Sequence, residues 1–147
     1  MAGETAITIN LDKILTMPSL DVTVNFKGTK VPSAGEELIV ALFYSPLSEL
    51  DMENDSPDKW LSYTLTDNDI TKGKTLVFTD IDPFAAELYV VAFVDSDDNG
   101  PGDGELIECY KDVNFVEALF GEKNATNVAG ETAITIDLDM VLKIPQK

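Results

Sequence analysis

Ala129 to Pro145 reads AGETAITIDLDMVLKIP, and this stretch decides the fold class. Ile134, Ile136, Leu138, Met140, Leu142 and Ile144 alternate with Thr135, Asp137, Asp139 and Lys143, with Val141 as the exception. In an extended chain successive side chains point to opposite faces, so period-two alternation is the mark of a half-buried strand. The same alternation recurs at Leu20, Val22, Val24 and Phe26, set against Asp21, Thr23, Asn25 and Lys27. Two continuous apolar runs, Leu38 to Tyr44 and Leu88 to Val94, predict central strands covered on both faces. Shorter strands are expected at Trp60 to Leu65, Thr75 to Thr79 and Glu105 to Val113.

Turn signals separate these segments at Lys27 to Thr29, Pro32 to Gly35 and Asp67 to Gly73. The acidic, proline-punctuated stretch from Ser45 to Lys59 predicts a surface loop, and only Asn114 to Phe120 predicts a helix. The expectation is all-β: a two-sheet sandwich of about seven to nine strands, jelly roll among the possibilities. Strand order is not readable from the pattern.

The opening of the chain repeats its close. Ala2 to Pro18 reads AGETAITINLDKILTMP, identical to Ala129 to Pro145 at twelve of seventeen positions. The largest change puts Lys13 where Met140 stands on the apolar side. A strand fits its place through backbone pairing and side-chain alternation, and a one-residue slip exposes its apolar set. Two nearly identical strands therefore suit nearly identical places. Two arrangements follow. Either both copies are equivalent strands within one molecule, or the leading copy belongs in the sheet of a neighbour. The second predicts head-to-tail assembly by strand addition. On this reading residues 1–18 form a donor-strand extension and residues 19–147 the sandwich.

Composition narrows the chemistry. The chain has 27 acidic and 10 basic residues, a net charge of −17, and no His. All of the basic residues are Lys. Such a field repels nucleic acid and anionic membranes and attracts cations. Without His or Arg there is no ordinary base near neutral pH, no imidazole for zinc or copper, and no bidentate anion clamp. A metal must be held by oxygen, which points to calcium or magnesium.

The segment Asp95 to Glu105, DSDDNGPGDGE, supplies that oxygen. Alternate side chains at Asp95, Asp97 and Asn99 can converge on one ion, Gly100 permits the sharp turn, and Asp103 and Glu105 can close the shell. The start matches D-x-D-x-N-G, but Glu105 stands at the eleventh position rather than the twelfth, and strands flank the loop. The expectation is a structural calcium loop outside the EF-hand class; the bland alternative is a solvated acidic turn. Asp67 and Asp69, and Asp80 and Asp82, are weaker candidates at strand ends.

Cys109 is the sole cysteine, expected in a buried strand position because nothing nearby could activate it. The sequons at Asn124 and Asn54 suit surface loops of an extracellular protein. No apolar run is long enough to span a bilayer. The start, MAGET, carries no leader pattern, so a signal peptide is either absent or already removed, and the expected location is extracellular. Carboxylates abound, yet no nucleophile elbow, phosphate loop or dinucleotide fingerprint is present, and aromatics are scattered. An enzyme is not expected. The rival to assembly is a calcium-stabilised adhesin or carbohydrate-binding module.

The loop Asp95 to Glu105, the preceding DIDPFAAELYVVAFVD and the paired AGETAIT segments carry a resemblance. The chain is similar to prealbumin-like and carboxypeptidase-regulatory-like sandwiches. More narrowly, it resembles the cannula subunits of hyperthermophilic archaea. That resemblance implies an extracellular tubule built by donor strands and calcium, with ions within and between subunits.

Overall fold

The computed structural model describes residues 6–9, 17–51 and 53–144. Among these residues seven strands form two sheets: β1 (Leu20–Asn25), β2 (Glu37–Phe43), β3 (Lys59–Thr64), β4 (Lys74–Phe78), β5 (Tyr89–Asp95), β6 (Ile107–Cys109) and β7 (Ala133–Asp137). One sheet has the order β4-β1-β7 and the other β3-β2-β5-β6. The two-sheet sandwich is as the alternation predicts. Its split into three and four strands differs from an eight-stranded jelly roll.

Between the sheets lies the main core. Leu20, Val22 and Val24 of β1, with Ile134 and Ile136 of β7, face Leu38, Val40 and Leu42 of β2 and Val90, Ala92 and Val94 of β5. The three-stranded sheet turns its other face to solvent, where the Thr23 and Thr75 hydroxyls meet at 2.7 Å. The four-stranded sheet is covered on both faces. Its outer residues Ala41, Phe43, Val91, Phe93, Ile107 and Cys109 pack under Leu47, Phe115, Ala118 and Leu142. This is why β2 and β5 read as continuous apolar runs while β1 alternates.

Among the described residues there are two short helices, α1 (Asp67–Lys72) and α2 (Phe115–Leu119), with a 3-10 turn at Leu47–Glu49. The α2 helix falls within the predicted segment, and the Asn114 side chain accepts from Glu117 N at 3.2 Å. The α1 helix corrects a predicted turn. Its six residues show no apolar periodicity, and its start is set by a capping box in which Thr66 and Asp69 satisfy each other's backbone N–H groups. The 3-10 turn gives the Ser45 to Lys59 loop a buried anchor at Leu47.

The closing segment departs most from expectation. It is not one strand to Ile144. β7 runs parallel to β1, pairing Ile134 with Val22 and Ile136 with Val24, and ends at Asp137. Leu138 N then donates to Asn25 O, after which the chain crosses to the other sheet. There Ile107 N donates to Met140 O, and Leu142 N donates to Glu105 O. The alternation therefore serves two cores. Ile134, Ile136 and Leu138 fill the inter-sheet core, Val141 packs against it, and Leu142 joins the outer cluster. That crossing explains the break in alternation at Val141.

Ile136 is 2% exposed. Replacing it with alanine leaves a cavity in the inter-sheet core beside β1 and is expected to cost about 3 kcal/mol, measured by urea unfolding.

Candidate functional site

Two features stand out: the acidic loop after β5 and the unequal placement of the two repeat copies. The loop begins where β5 ends, so Asp95 lies at the rim of the core and is 6% exposed. Its carboxylate organises the turn. Oδ1 accepts from Asp97 N and Asn99 N, both at 3.3 Å, and Oδ2 accepts from Gly100 N at 2.9 Å. Burial pushes the Asp95 pKa up, but the N–H groups of Gly100, Asp97 and Asn99 outweigh it and hold the carboxyl below its ordinary value. Gly100 has a φ of 79°, the left-handed conformation that the turn requires.

Glu105 closes the other side. Its Oε1 accepts from Ser96 N at 3.1 Å and Ser96 Oγ at 2.8 Å, and its Oε2 accepts from Gly102 N at 3.0 Å. Asp95, Asp97 and Glu105 each bring a carboxylate oxygen within 4.8 Å of the others, a cluster that could hold a metal ion. Three of the five predicted ligands thus converge. Asn99 contributes its backbone N–H, which lies 3.2 Å from Asp97 Oδ1. Asp103 is directed elsewhere, accepting from Ile144 N at 2.8 Å, and so ties the loop to the closing segment.

The weaker candidates have local work. Asp69 belongs to the α1 capping box, with Asp67 beside it in the first turn. Asp82 accepts from Phe84 N at 2.9 Å, and Asp80 occupies a turn with a φ of 56°. None of the four joins a group of three carboxylates among the described residues.

One group escaped the sequence reading: Glu108, Asp112 and Asp139 also bring carboxylate oxygens within 4.8 Å of one another. The available signal was an acidic residue between Ile107 and Cys109 in a buried strand. Burial, with Asp139 beside it, holds the Glu108 carboxyl above the ordinary range. Cys109 is buried, and its thiol is pushed up to about 12 by that burial and by the charge of Glu108.

The repeat copies differ sharply. The closing copy buries Ile134 and Ile136, at 4% and 2% exposure, whereas their counterparts Ile7 and Ile9 are 84% and 72% exposed. Residues 6–9 belong to no strand. The remainder of the leading copy, residues 2–5 and 10–16 apart from Met17 and Pro18 at its end, lies outside the described residues. β7 pairs with β1 along one side, and among the described residues no strand occupies its other side. No helix among the described residues is long and apolar enough to cross a membrane.

Substituting Asp95 by alanine removes the acceptor for three loop N–H groups. The expected cost is roughly 2 kcal/mol, read by urea unfolding in the presence of a chelator. Because the folded pKa of Asp95 is depressed, its contribution is complete above the unfolded value near 4 and is lost as pH falls through the lower folded value. The difference between wild type and Asp95→Ala should therefore shrink in acid.

The chain matches no protein-family model, no curated protein and no solved structure.

Proposed function

We propose that this chain is a structural subunit that assembles head-to-tail outside the cell, each leading strand docking on the next subunit's sheet. One observation carries the reading. The same strand sequence occurs twice, and the copy that fills its place in the fold leaves the other with two isoleucines in solvent. Exposed apolar residues in a strand-forming sequence indicate a partner surface.

The free edge of β7 is the acceptor that geometry favours. The edges of β3 and β4 lie together, since Trp60 and Leu61 line one groove with Val77 and Phe78. The three-stranded sheet is one strand short of its partner sheet, and its open side is then the outer edge of β7. A strand added there pairs its N–H and C=O groups with those of β7, and Ile7 and Ile9 extend the inter-sheet core. A head-to-tail contact of this kind grows as a filament or tubule unless it closes into a ring.

Calcium is the ion assigned to the Asp95 loop, because every donor is oxygen and the loop folds on its own carboxylates. At a net charge of −17 the subunits repel one another, and bound divalent ions lower that barrier. Assembly is accordingly calcium-dependent. The reading agrees with the resemblance to cannula subunits. No enzyme activity is part of it.

A carbohydrate-binding role is the second reading, favoured by Trp60, which is 59% exposed beside the groove between β3 and β4. Glycan pull-down lost on Trp60→Ala, with no assembly under any calcium condition, would move the assignment there.

Removal of residues 1–18 should leave a folded monomer that no longer assembles when calcium is added, as seen by light scattering and electron microscopy. Ile7→Asp with Ile9→Asp should do the same with an unfolding midpoint unchanged, since both side chains are exposed in the monomer. Unimpaired polymer from either variant rules out the leading strand as the donor.

A further inference from the structure

We infer that Glu108, Asp112 and Asp139 form a second cation site, which takes a calcium ion and ties the end of β6 to the segment crossing from β7. The site is separate from the Asp95 loop and rests on no assumption about assembly.

Three parts of the chain build it. Glu108 pairs with Ala92 in the β5–β6 ladder, so both face the inter-sheet side, and the small alanine leaves room for the longer carboxylate. Asp139 is held where the chain leaves β7, directly after Leu138 N bonds to Asn25 O. Gly28 permits that approach: a Cβ there would lie 2.8 Å from Asp139 Cβ. Asp112 arrives from the turn after β6, in which Lys111 and Asp112 have φ values of 64° and 58°.

Proximity of acids alone would mean little. What points to a ligand is Glu108, which is fully buried with one oxygen satisfied and the other not. Its Oε1 accepts from Asp139 N at 2.6 Å and from Met140 N at 3.3 Å. Its Oε2 has no partner, in a side chain that belongs to the three-carboxylate group. A buried carboxylate oxygen left unpaired is strongly disfavoured, and two further carboxylates at the same point increase the demand for positive charge.

No lysine among the described residues meets that demand. Lys27 pairs with Asp137 and Lys123 with Glu117, and Lys111 lies over the Tyr110 ring, 5.8 Å from its centroid. A bound cation would supply charge to all three carboxylates at once. The donors are all oxygen, and they lie within 4.8 Å of one another. Three carboxylates on one ion suit calcium, which takes six to eight oxygen ligands at roughly 2.3–2.6 Å, better than magnesium, which keeps several waters and uses only one or two carboxylates.

The test uses the full chain carrying Asp95→Asn and Asp97→Asn, which weaken the loop site while keeping its acceptor oxygens. After removal of metals by a chelator, calcium chloride is titrated by calorimetry and the thermal midpoint is followed. One ion per chain should still bind, and the midpoint should rise with calcium. Adding Asp112→Asn or Asp139→Asn, both on exposed side chains, should weaken that binding at least about tenfold. Glu108→Gln should abolish the calcium-dependent rise yet unfold no earlier than its parent in chelator, because it removes a buried charge. The inference is overturned if the parent binds no calcium. It is equally overturned if affinity is unchanged by Asp112→Asn and Asp139→Asn, in which case Glu108 is a protonated buried acid and no more. Those two exposed variants keep the test decisive even if Glu108→Gln fails to fold.

Discussion

The parallel pairing of β7 with β1 is the contact on which the rest of the molecule depends. It brings the end of the chain against its first core strand, with Ile134 beside Val22 and Ile136 beside Val24. A ladder of this kind joins residues more than a hundred positions apart, so its closure entropy must be repaid by burial on the inner face. Once it forms, that slot beside β1 is filled, since β4 occupies the opposite side. A second copy of the same strand then has no equivalent slot inside the molecule. The exposure of Ile7 and Ile9 follows from this occupancy and needs no special property of the leading segment.

The same closing segment links the functional features. After β7 it crosses between the sheets, passing Glu108, and pairs with the stretch around Ile107 and Glu105. Its last described residue, Ile144, donates to Asp103 in the acidic loop. Both carboxylate groups therefore sit along one path of chain, one at the crossing and one at its end. An ion at either position would restrain the segment that holds the two sheets together at that side. This is a structural use of a metal, consistent with a chain lacking imidazole and carrying its one thiol buried.

The acidic loop is shaped by hydrogen bonds to its own carboxylates. Asp95 collects three N–H groups and Glu105 collects two, with a hydroxyl added. Those bonds draw the glycine-rich turn inward and offset part of the repulsion among its carboxylates. Glu108 lacks this compensation on one oxygen, which separates a satisfied acidic site from an unsatisfied one.

Much of the architecture was legible in the residues. Alternation located β1 and the start of β7, the continuous apolar runs located β2 and β5, and the spacing of Asp95, Asp97 and Glu105 located the loop cluster. These are local properties: the period of a strand and the reach of side chains a few positions apart are written in consecutive residues. The α1 helix is local as well: Thr66 and Asp69, three positions apart, are a capping pattern written in the sequence, and the segment reads as a turn only because it has no apolar stripe. Tertiary structure alone decided three things. Asp103 turned from the loop to Ile144, and Glu108 met Asp112 and Asp139, because those positions depend on where the closing chain crosses from one sheet to the other. The duplication was plain in the sequence, but which copy fills the slot beside β1 was settled by packing. Met140 is half-buried at the crossing where its counterpart in the leading copy is Lys13, and a lysine there would carry a charge into a poorly solvated position.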